Sequence, residues 1–307
     1  MKRKNLFQRL SMPVPELWHY YQERRKERFE SNAPFGGVRF RKILHPVLVC
    51  GLKLIHLVSN VKITVIGDQR TKTTRPIIYA ATHIGWDDVE MIFTAIRDHA
   101  YLFWGDPRES YKTMDGFLLD LNGTIICDTD NKSDRYIGKE TCIRWLEQNG
   151  NLLIFPEGAW NITENLPTMP LYAGAAEMAL RTGAEIVPVA IERYGKDYAV
   201  NIGANIVCDD FGAEQKWALT ALLRDAMATL RWNIWASQPC VSRSEIPSDY
   251  RAQEISDIVK QMQGIYVIDD IEITRFRTKD ELKQKEAFAH LDKLIPNRDN
   301  AFLFRKR

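Results

Sequence analysis

The stretch Pro-Ile-Ile-Tyr-Ala-Ala-Thr-His-Ile-Gly-Trp-Asp-Asp, residues 76–88, decides the fold. Its first seven residues form an apolar run that predicts a buried strand, and a glycine-containing turn then leads to two aspartates that can cap a helix. Similar runs of aliphatic and β-branched residues recur along the chain, with helical stretches between them. This alternation predicts an α/β fold in which helices cover a central sheet.

The same pattern divides the chain of 307 residues, whose 45% apolar composition is enough for a sizeable core. Strands are predicted at 62–66, 76–82, 124–127, 151–155, 186–191 and 198–202, and helices at 87–98, 134–148, 173–182 and 213–235. A polar, proline-marked stretch after Trp235 indicates a boundary. We therefore predict N-terminal helices over 1–60, a main domain over 61–237 and a charged helical extension over 238–307.

Positive charge is concentrated at the N-terminus. The chain has a net charge of only +2, yet residues 1–62 hold thirteen Lys and Arg against four Asp and Glu. Such a basic arm can dock on lipid headgroups or on nucleic acid, or it can be a solvated helix face. The arm lacks a recognisable groove-reading module, so we expect no nucleic-acid partner.

Two segments of this N-terminal region bear on membrane binding. Residues 15–30 mix aromatic side chains with four Lys and Arg, which suits a helix lying at a lipid interface. Residues 43–61 are nearly apolar but are interrupted by Pro46, Gly51 and Lys53, so they are a poor candidate for a spanning helix. We predict peripheral membrane association; the alternative is two ordinary helices packed on the main domain.

Cysteine usage and the N-terminus indicate the compartment. The five cysteines are scattered and never form a Cys-x-x-Cys pair, which indicates neither a disulfide framework nor a zinc site. Residues 1–7 lack the apolar core and the small-residue cleavage site of a signal peptide. We therefore expect a protein of cytosolic origin.

His83 is the first candidate catalytic residue, because among six histidines it alone passes from a buried-looking strand directly into a glycine-containing turn. Asp88, five residues later, could fix its tautomer and stabilise the imidazolium. On a regular helix the two side chains would point about 140° apart, so the pair requires His83 to lie on the turn. For Asp87, helix capping alone is an equally simple role. A histidine base needs no nucleophilic Ser or Cys when the transferred group is already activated, so transfer is favoured over hydrolysis.

Glu157 is the second candidate, in the stretch Phe-Pro-Glu-Gly at residues 155–158. This stretch directly follows a predicted strand, and the carboxyl ends of strands in open α/β sheets are where binding sites gather. Gly158 would let a ligand approach the backbone closely, and Glu157 could bind a hydroxyl. A turn that carries a solvated acid is the alternative.

In order and spacing these stretches resemble the glycerolipid acyltransferase family related to bacterial 1-acyl-sn-glycerol-3-phosphate acyltransferases. His83 and Asp88 match its first block, which is a His and an Asp with four residues between them, and residues 155–158 match its Pro-Glu-Gly block. Residues 123–128 fall where the second block is expected, and Ile-Val-Pro-Val at 186–189 is similar to the fourth. The resemblance covers roughly residues 45–237.

The resemblance implies a central mixed sheet and direct transfer of a fatty acyl group from a thioester, on coenzyme A or acyl carrier protein, to a lipid hydroxyl in phospholipid biosynthesis. His83 would be the general base and Asp88 would orient it, with Glu157 and Gly158 helping to bind the acceptor. Gly85 and Gly123 join the predicted substrate-binding residues. The donor is a substrate, so no cofactor or metal is expected. The implied location is cytoplasmic, peripheral to the inner face of the cell membrane.

Two departures bear on the acceptor. Thr129 and Trp160 stand where the family usually has arginines associated with the acceptor's phosphate, and Gly85 stands where a serine is common. Lys132 and Arg135 lie a few residues beyond Thr129 and could substitute. With Trp160, they complete the predicted substrate-binding set.

The favoured acceptor is 1-acyl-sn-glycerol-3-phosphate, and the alternatives are an acceptor without phosphate, a non-enzymatic lipid-binding protein, or a hydrolase or metal-dependent enzyme that uses the same acidic residues.

Overall fold

The computed structural model describes residues 4–85, 87–105, 112–163, 166–239 and 241–261. Within these ranges the chain forms helices and strands in the order α1 (Leu6–Leu10), α2 (Val14–Glu30), α3 (Val38–Val58), β1 (Ile63–Asp68), β2 (Ile77–Ala81), α4 (Asp88–Ile96), β3 (Ala100–Gly105), α5 (Met114–Asn122), β4 (Thr124–Cys127), α6 (Lys132–Glu147), β5 (Asn151–Ile154), α7 (Gly174–Thr182), β6 (Glu185–Tyr194), β7 (Asp197–Ile202), α8 (Lys216–Ala236) and α9 (Tyr250–Gln261).

The strands form one seven-stranded sheet in the order β1-β7-β6-β2-β5-β3-β4. All neighbours run parallel except β6 and β7, which form an antiparallel hairpin, so the sheet is mixed. The predicted α/β fold with a mixed sheet and flanking helices is confirmed. The sequence pattern missed β3 and α5. Strand β3 lies between two neighbouring strands and is a short continuous apolar run, which periodicity alone does not distinguish from a buried helical segment.

Alternate residues of the central strands pack into two different cores. Ile78 and Ala80 of β2 face the cluster built by α6, α7 and α8, whereas Tyr79 and Ala81 face the cluster built by α4. Both faces of the sheet are therefore covered, which is the arrangement that parallel strands require.

The N-terminal helices differ in what they bury. Helix α2 buries Leu17 and Trp18, and its Arg25 donates to Asp134 of α6 at 2.6 Å. The aromatic residues expected to face lipid are therefore partly directed into the protein, and α2 packs on the main domain. Helix α3 packs against α4 and α5 and leaves most of its apolar side chains exposed. Among the described residues, no helix combines the length and the hydropathy needed to span a membrane.

The predicted C-terminal extension is described only in its first part. Helix α9 ends at Gln261, and residues 262–307 lie outside the described residues. The proposed boundaries at 60 and 237 stay predictions.

Candidate active site

The turn between β2 and α4 carries His83. Strand β2 ends at Ala81 and α4 begins at Asp88, so His83 lies on the turn, as its pairing with Asp88 requires. The peptide N–H of Thr82 still donates to the Val189 carbonyl of β6 at 3.0 Å. The sheet therefore fixes the chain up to the residue before His83.

Asp88 orients the imidazole. Its Oδ2 atom lies 2.7 Å from His83 Nδ1 and also accepts from the peptide N–H groups of Ile84 at 2.8 Å and Gly85 at 3.2 Å. A buried carboxylate is an acceptor, so Nδ1 carries the proton and Nε2 of the neutral ring keeps its lone pair. The ring is therefore set up to take a proton at Nε2.

Asp87 has a separate contact. The hydroxyl of Tyr198 on β7 donates to Asp87 Oδ2 at 3.1 Å. Burial and the neighbouring Asp87 raise the pKa of this tyrosine, which therefore stays protonated as the donor. Asp87 thus anchors the turn to β7, and Asp88 is the residue that contacts His83.

Glu157 is fully buried, with 0% of its surface exposed. Its Oε1 accepts from the peptide N–H of His83 at 3.0 Å, and its Oε2 accepts from the peptide N–H of Met169 at 2.8 Å. Burial raises the pKa of Glu157, while Arg231 and the two peptide N–H groups act in the opposite direction. The acceptor-binding role expected for Glu157 stays a prediction; its observed partners are both backbone groups.

The segment after Glu157 completes the surroundings of His83. The peptide N–H of Asn161 donates to the His83 carbonyl at 2.6 Å. Phe155 stacks on the imidazole with 4.2 Å between ring centroids, and Trp160 meets it edge-on at 6.1 Å. His83 is thus held at its N–H, its carbonyl and its ring.

Gly158 has a backbone that only glycine adopts easily. Its φ is +69°, and a Cβ there would lie 2.4 Å from the Tyr172 ring. Tyr172 thus lies close to Gly158 within the protein, and the expected approach of a ligand to the Gly158 backbone stays a prediction.

Two predicted glycines have different positions. Gly85 is buried in the His83 turn and helps to hold Asp88 through its peptide N–H. Gly123 precedes β4, at the amino edge of the parallel strands, and a Cβ there would collide with Tyr101. Strand register puts Gly123 level with Ile78, about 15 Å along the strand direction from His83. Gly123 therefore makes room for Tyr101 and lies away from the cluster around His83, and its expected role in substrate binding stays a prediction.

Lys132 and Arg135 lie at the same edge of the sheet as His83, because both follow the carboxyl end of β4. Both are exposed, and Arg135 donates to the carbonyl of Thr129. The sheet order puts β4 three strand spacings from β2, about 14 Å. These two cations therefore lie at the same edge of the sheet as His83, but they do not contact the described residues around His83.

Sequence reasoning missed Asn161, Met169 and Arg231. Met169 and Asn161 contact Glu157 and His83 through their peptide N–H groups, which leave no signature in side-chain type. Arg231 lies on α8 and is buried against Glu192 of β6; its signal was a charged residue inside an apolar helical stretch. Among the described residues, no group of three or more His, Cys, Asp or Glu side chains could hold a metal ion.

The residues around His83 lie in a part of the chain that is similar to a known family. Residues 62–192 match the model of the family described as Acyltransferase. This match includes His83, Asp88, Glu157 and Gly158. The chain is thus similar to this family over residues 62–192, which are less than half of its 307 residues.

Two relatives of the acyltransferase domain differ in what their similarity shows. A lyso-ornithine lipid O-acyltransferase of Pseudomonas aeruginosa is 28% identical over 136 residues, which are 44% of this chain and 50% of that protein. The chain thus aligns with half the length of this relative. The crystal structure of the 1-acyl-sn-glycerophosphate acyltransferase PlsC from Thermotoga maritima matches 72% of this chain and 90% of its own with a TM-score of 0.54. At 14% identity, this match shows that the fold is shared.

Replacing Gly158 by Ala should destabilise the acyltransferase domain by about 1–3 kcal/mol, because a side chain at positive φ is strained and its Cβ would displace Tyr172. Urea unfolding measures the free energy. The matched control is Gly174→Ala, where a Cβ meets nothing within 4 Å and stability should change by less than about 0.5 kcal/mol. Equal stabilities for both variants would contradict the role assigned to Gly158.

Proposed function

We propose that this protein transfers a fatty acyl group from an acyl thioester to a hydroxyl of a lysolipid. The observation that carries the proposal is the hydrogen bond between His83 Nδ1 and buried Asp88, which directs the lone pair of Nε2 away from the carboxylate. The family of the domain supports the same chemistry.

In the proposed reaction, Nε2 of His83 takes the proton of the acceptor hydroxyl as its oxygen attacks the thioester carbonyl. The new C–O bond forms, the C–S bond breaks, and the imidazolium returns the proton to the departing thiolate. Asp88 stabilises the imidazolium and keeps the ring in the required tautomer. No covalent enzyme intermediate is needed because the thioester is already activated. Both coenzyme A and acyl carrier protein are donors of this class.

Replacing His83 by Ala should lower the rate of acyl transfer by about 100 to 10,000-fold, the usual contribution of a general base. The assay uses purified full-length protein, C16 acyl thioesters of coenzyme A and of acyl carrier protein, and a panel of lysolipids. His19→Ala, at an exposed histidine of α2, is the control and should retain the wild-type rate. Absence of transfer with every donor and acceptor, or equal activity of wild type and His83→Ala, would overturn the proposal.

The acceptor's headgroup is the finer part of the proposal. 1-Acyl-sn-glycerol-3-phosphate is the acceptor expected from the family, whereas the curated relative is named for lyso-ornithine lipid. Trp160 favours the second candidate, because an indole, and not a guanidinium fork, meets the catalytic imidazole. Arg135, bound to the Thr129 carbonyl, keeps a cation at the same edge and supports the first. We propose a lysolipid acceptor in which Trp160 reduces the preference for phosphate.

Replacing Trp160 by Arg should raise the preference for 1-acyl-sn-glycerol-3-phosphate over lyso-ornithine lipid about tenfold, since an arginine forms charge-assisted bonds to a phosphate. The measurement is the ratio of the two kcat/KM values. Trp160→Phe keeps an aromatic ring against His83 and should leave the ratio near that of wild type. An unchanged ratio in a folded Trp160→Arg protein would show that Trp160 does not set the headgroup preference.

Helix α3 supports a membrane surface as partner. Seven apolar side chains of this helix are largely exposed, from 57% for Ile55 to 80% for Val58, and contiguous apolar exposure of this kind marks interaction sites. The exposed Arg39, Lys42 and Lys53 lie on the same helix and suit anionic headgroups. We propose that α3 lies in the lipid interface.

The position of α3 relative to the sheet agrees with a lipid substrate. Strand β1 starts five residues after α3 and runs antiparallel to β2, so its first residue lies at the edge where β2 ends. The exposed C-terminal end of α3 is therefore at the same edge as His83. A protein docked through α3 would hold this edge near the lipid surface, which supports the proposed position at the inner face of the cell membrane.

Replacing Ile43 by Glu should weaken binding to vesicles that contain anionic phospholipid by about tenfold, because a side chain that would enter the interface becomes charged. Co-sedimentation measures the partition. The matched control is Leu222→Glu on α8, an exposed leucine on the opposite side of the sheet, which should bind as wild type does. Unchanged binding of Ile43→Glu, or equal loss in both variants, would contradict docking through α3.

A further inference from the structure

A charged pair lies in the interior between α8 and β6. Arg231 and Glu192 are 1% and 3% exposed, and two guanidinium nitrogens of Arg231 donate to Glu192 Oε2 at 3.0 and 3.1 Å. The Trp235 indole donates to the same oxygen at 2.7 Å. A buried pair of this kind is weak evidence for stability, because apolar residues would often serve as well, so its position in the molecule matters more.

The third guanidinium nitrogen of Arg231 connects the ion pair to the segment beside His83. Arg231 Nη1 donates to the Pro167 carbonyl at 3.3 Å, and two residues later the peptide N–H of Met169 donates to Glu157. Asn161, whose peptide N–H holds the His83 carbonyl, also donates its side-chain amide to the Leu166 carbonyl at 3.0 Å. The short segment 166–169 is thus held from three sides.

This segment has two connections to the base. Glu157 links Met169 to the His83 N–H, and Asn161 links Leu166 to the His83 carbonyl. The N–H and the carbonyl of His83 therefore both bond to a unit that a guanidinium on α8 also holds. Arg231 also supplies positive charge that opposes the effect of burial on Glu157.

We propose that Arg231 is a positioning residue for His83, acting through the Pro167–Met169 segment and Glu157. Helix α8 follows residues 62–192, so the catalytic unit extends beyond the part of the chain that matches the family. Glu157 acts in this unit as the carboxylate that fixes the peptide N–H of His83. The inference rests on the proposed function for the role of His83 as base.

The test compares variants that separate positioning from stability. Arg231→Met alone leaves Glu192 buried without its cation and risks misfolding, so the informative variant is Arg231→Met/Glu192→Gln, which removes both charges. Arg231→Lys keeps the charge. Leu223→Ala, at a buried apolar residue of the same helix, is the matched control for loss of stability alone.

Kinetics on full-length protein give the first measurement. The double variant should lose at least about tenfold in kcat, since a small misplacement of a catalytic group has that effect, while KM for the acyl thioester changes less than about twofold. Arg231→Lys should recover part of the rate. Leu223→Ala should keep the wild-type kcat at temperatures below its own unfolding transition.

The pH profile gives a second signature. Glu157 is faced by Arg231 on α8 and by His83 on the turn, and Arg231 is itself faced by Glu192. Loss of the cation should let Glu157 hold a proton to higher pH, so the acid side of the kcat profile should move upward in pH. In a Glu157→Gln background, the same Arg231 and Glu192 changes should produce no further movement.

An NMR measurement makes the result independent of turnover. The Nδ1–H proton that His83 donates to Asp88 should give a downfield resonance, absent in His83→Ala, that broadens or disappears in the double variant and persists in Leu223→Ala. If wild type transfers an acyl group to no acceptor, the proposed function fails. The resonance would still show whether Arg231 positions His83. A double variant with wild-type kcat, pH profile and resonance would overturn the inference.

Discussion

The rest of the site depends on a carboxylate placed where water cannot reach it. Glu157 is fully buried, and burying a charge is costly unless hydrogen bonds and a nearby opposite charge offset the lost hydration. Its two oxygens accept from the peptide N–H groups of His83 and Met169. The strand end that carries His83 and the loop after β5 are joined through this one group. The turn can then present the imidazole in a single orientation, with Asp88 fixing the tautomer.

Sheet direction determines what can gather around that turn. Strands β2, β5, β3 and β4 are parallel, so the residues that follow them share one edge. His83, Glu157 and Arg135 come to that edge for this reason, whereas Gly123 precedes its strand and belongs to the opposite edge. The reversed direction of β1 brings the end of α3 to the catalytic edge as well. One topological constraint therefore puts His83 and the exposed apolar helix end on the same side of the molecule.

The residues expected to bind the acceptor's headgroup are where this chain differs from the family pattern. The match of the His83 and Glu157 blocks to the Acyltransferase family model supports acyl transfer, and these blocks do not depend on the headgroup. In the proposed function, Trp160 and Thr129 distinguish the headgroup, and Trp160 meets the His83 ring edge-on. A change of residue type at such a position would alter which charge is favoured without altering the proposed base. The proposal therefore assigns the chemistry and the acceptor preference to different residues.

The sequence by itself determined the α/β class, the six strands with clear apolar runs, and the blocks that carry His83, Asp88 and Glu157. These follow from local periodicity and side-chain type, which the chain records directly. It missed β3 and α5, and it did not show that Gly123 and His83 lie at opposite edges of the sheet, because strand order and strand edge depend on pairing between distant segments. It predicted a lipid-facing α2 whose Leu17 and Trp18 are buried. Only the tertiary structure decided which groups surround the His83 turn. The peptide N–H groups of Asn161 and Met169 could not be singled out, because every residue except proline has one. The role of Arg231 could not be predicted either, because a buried ion pair depends on which partner the fold brings to it.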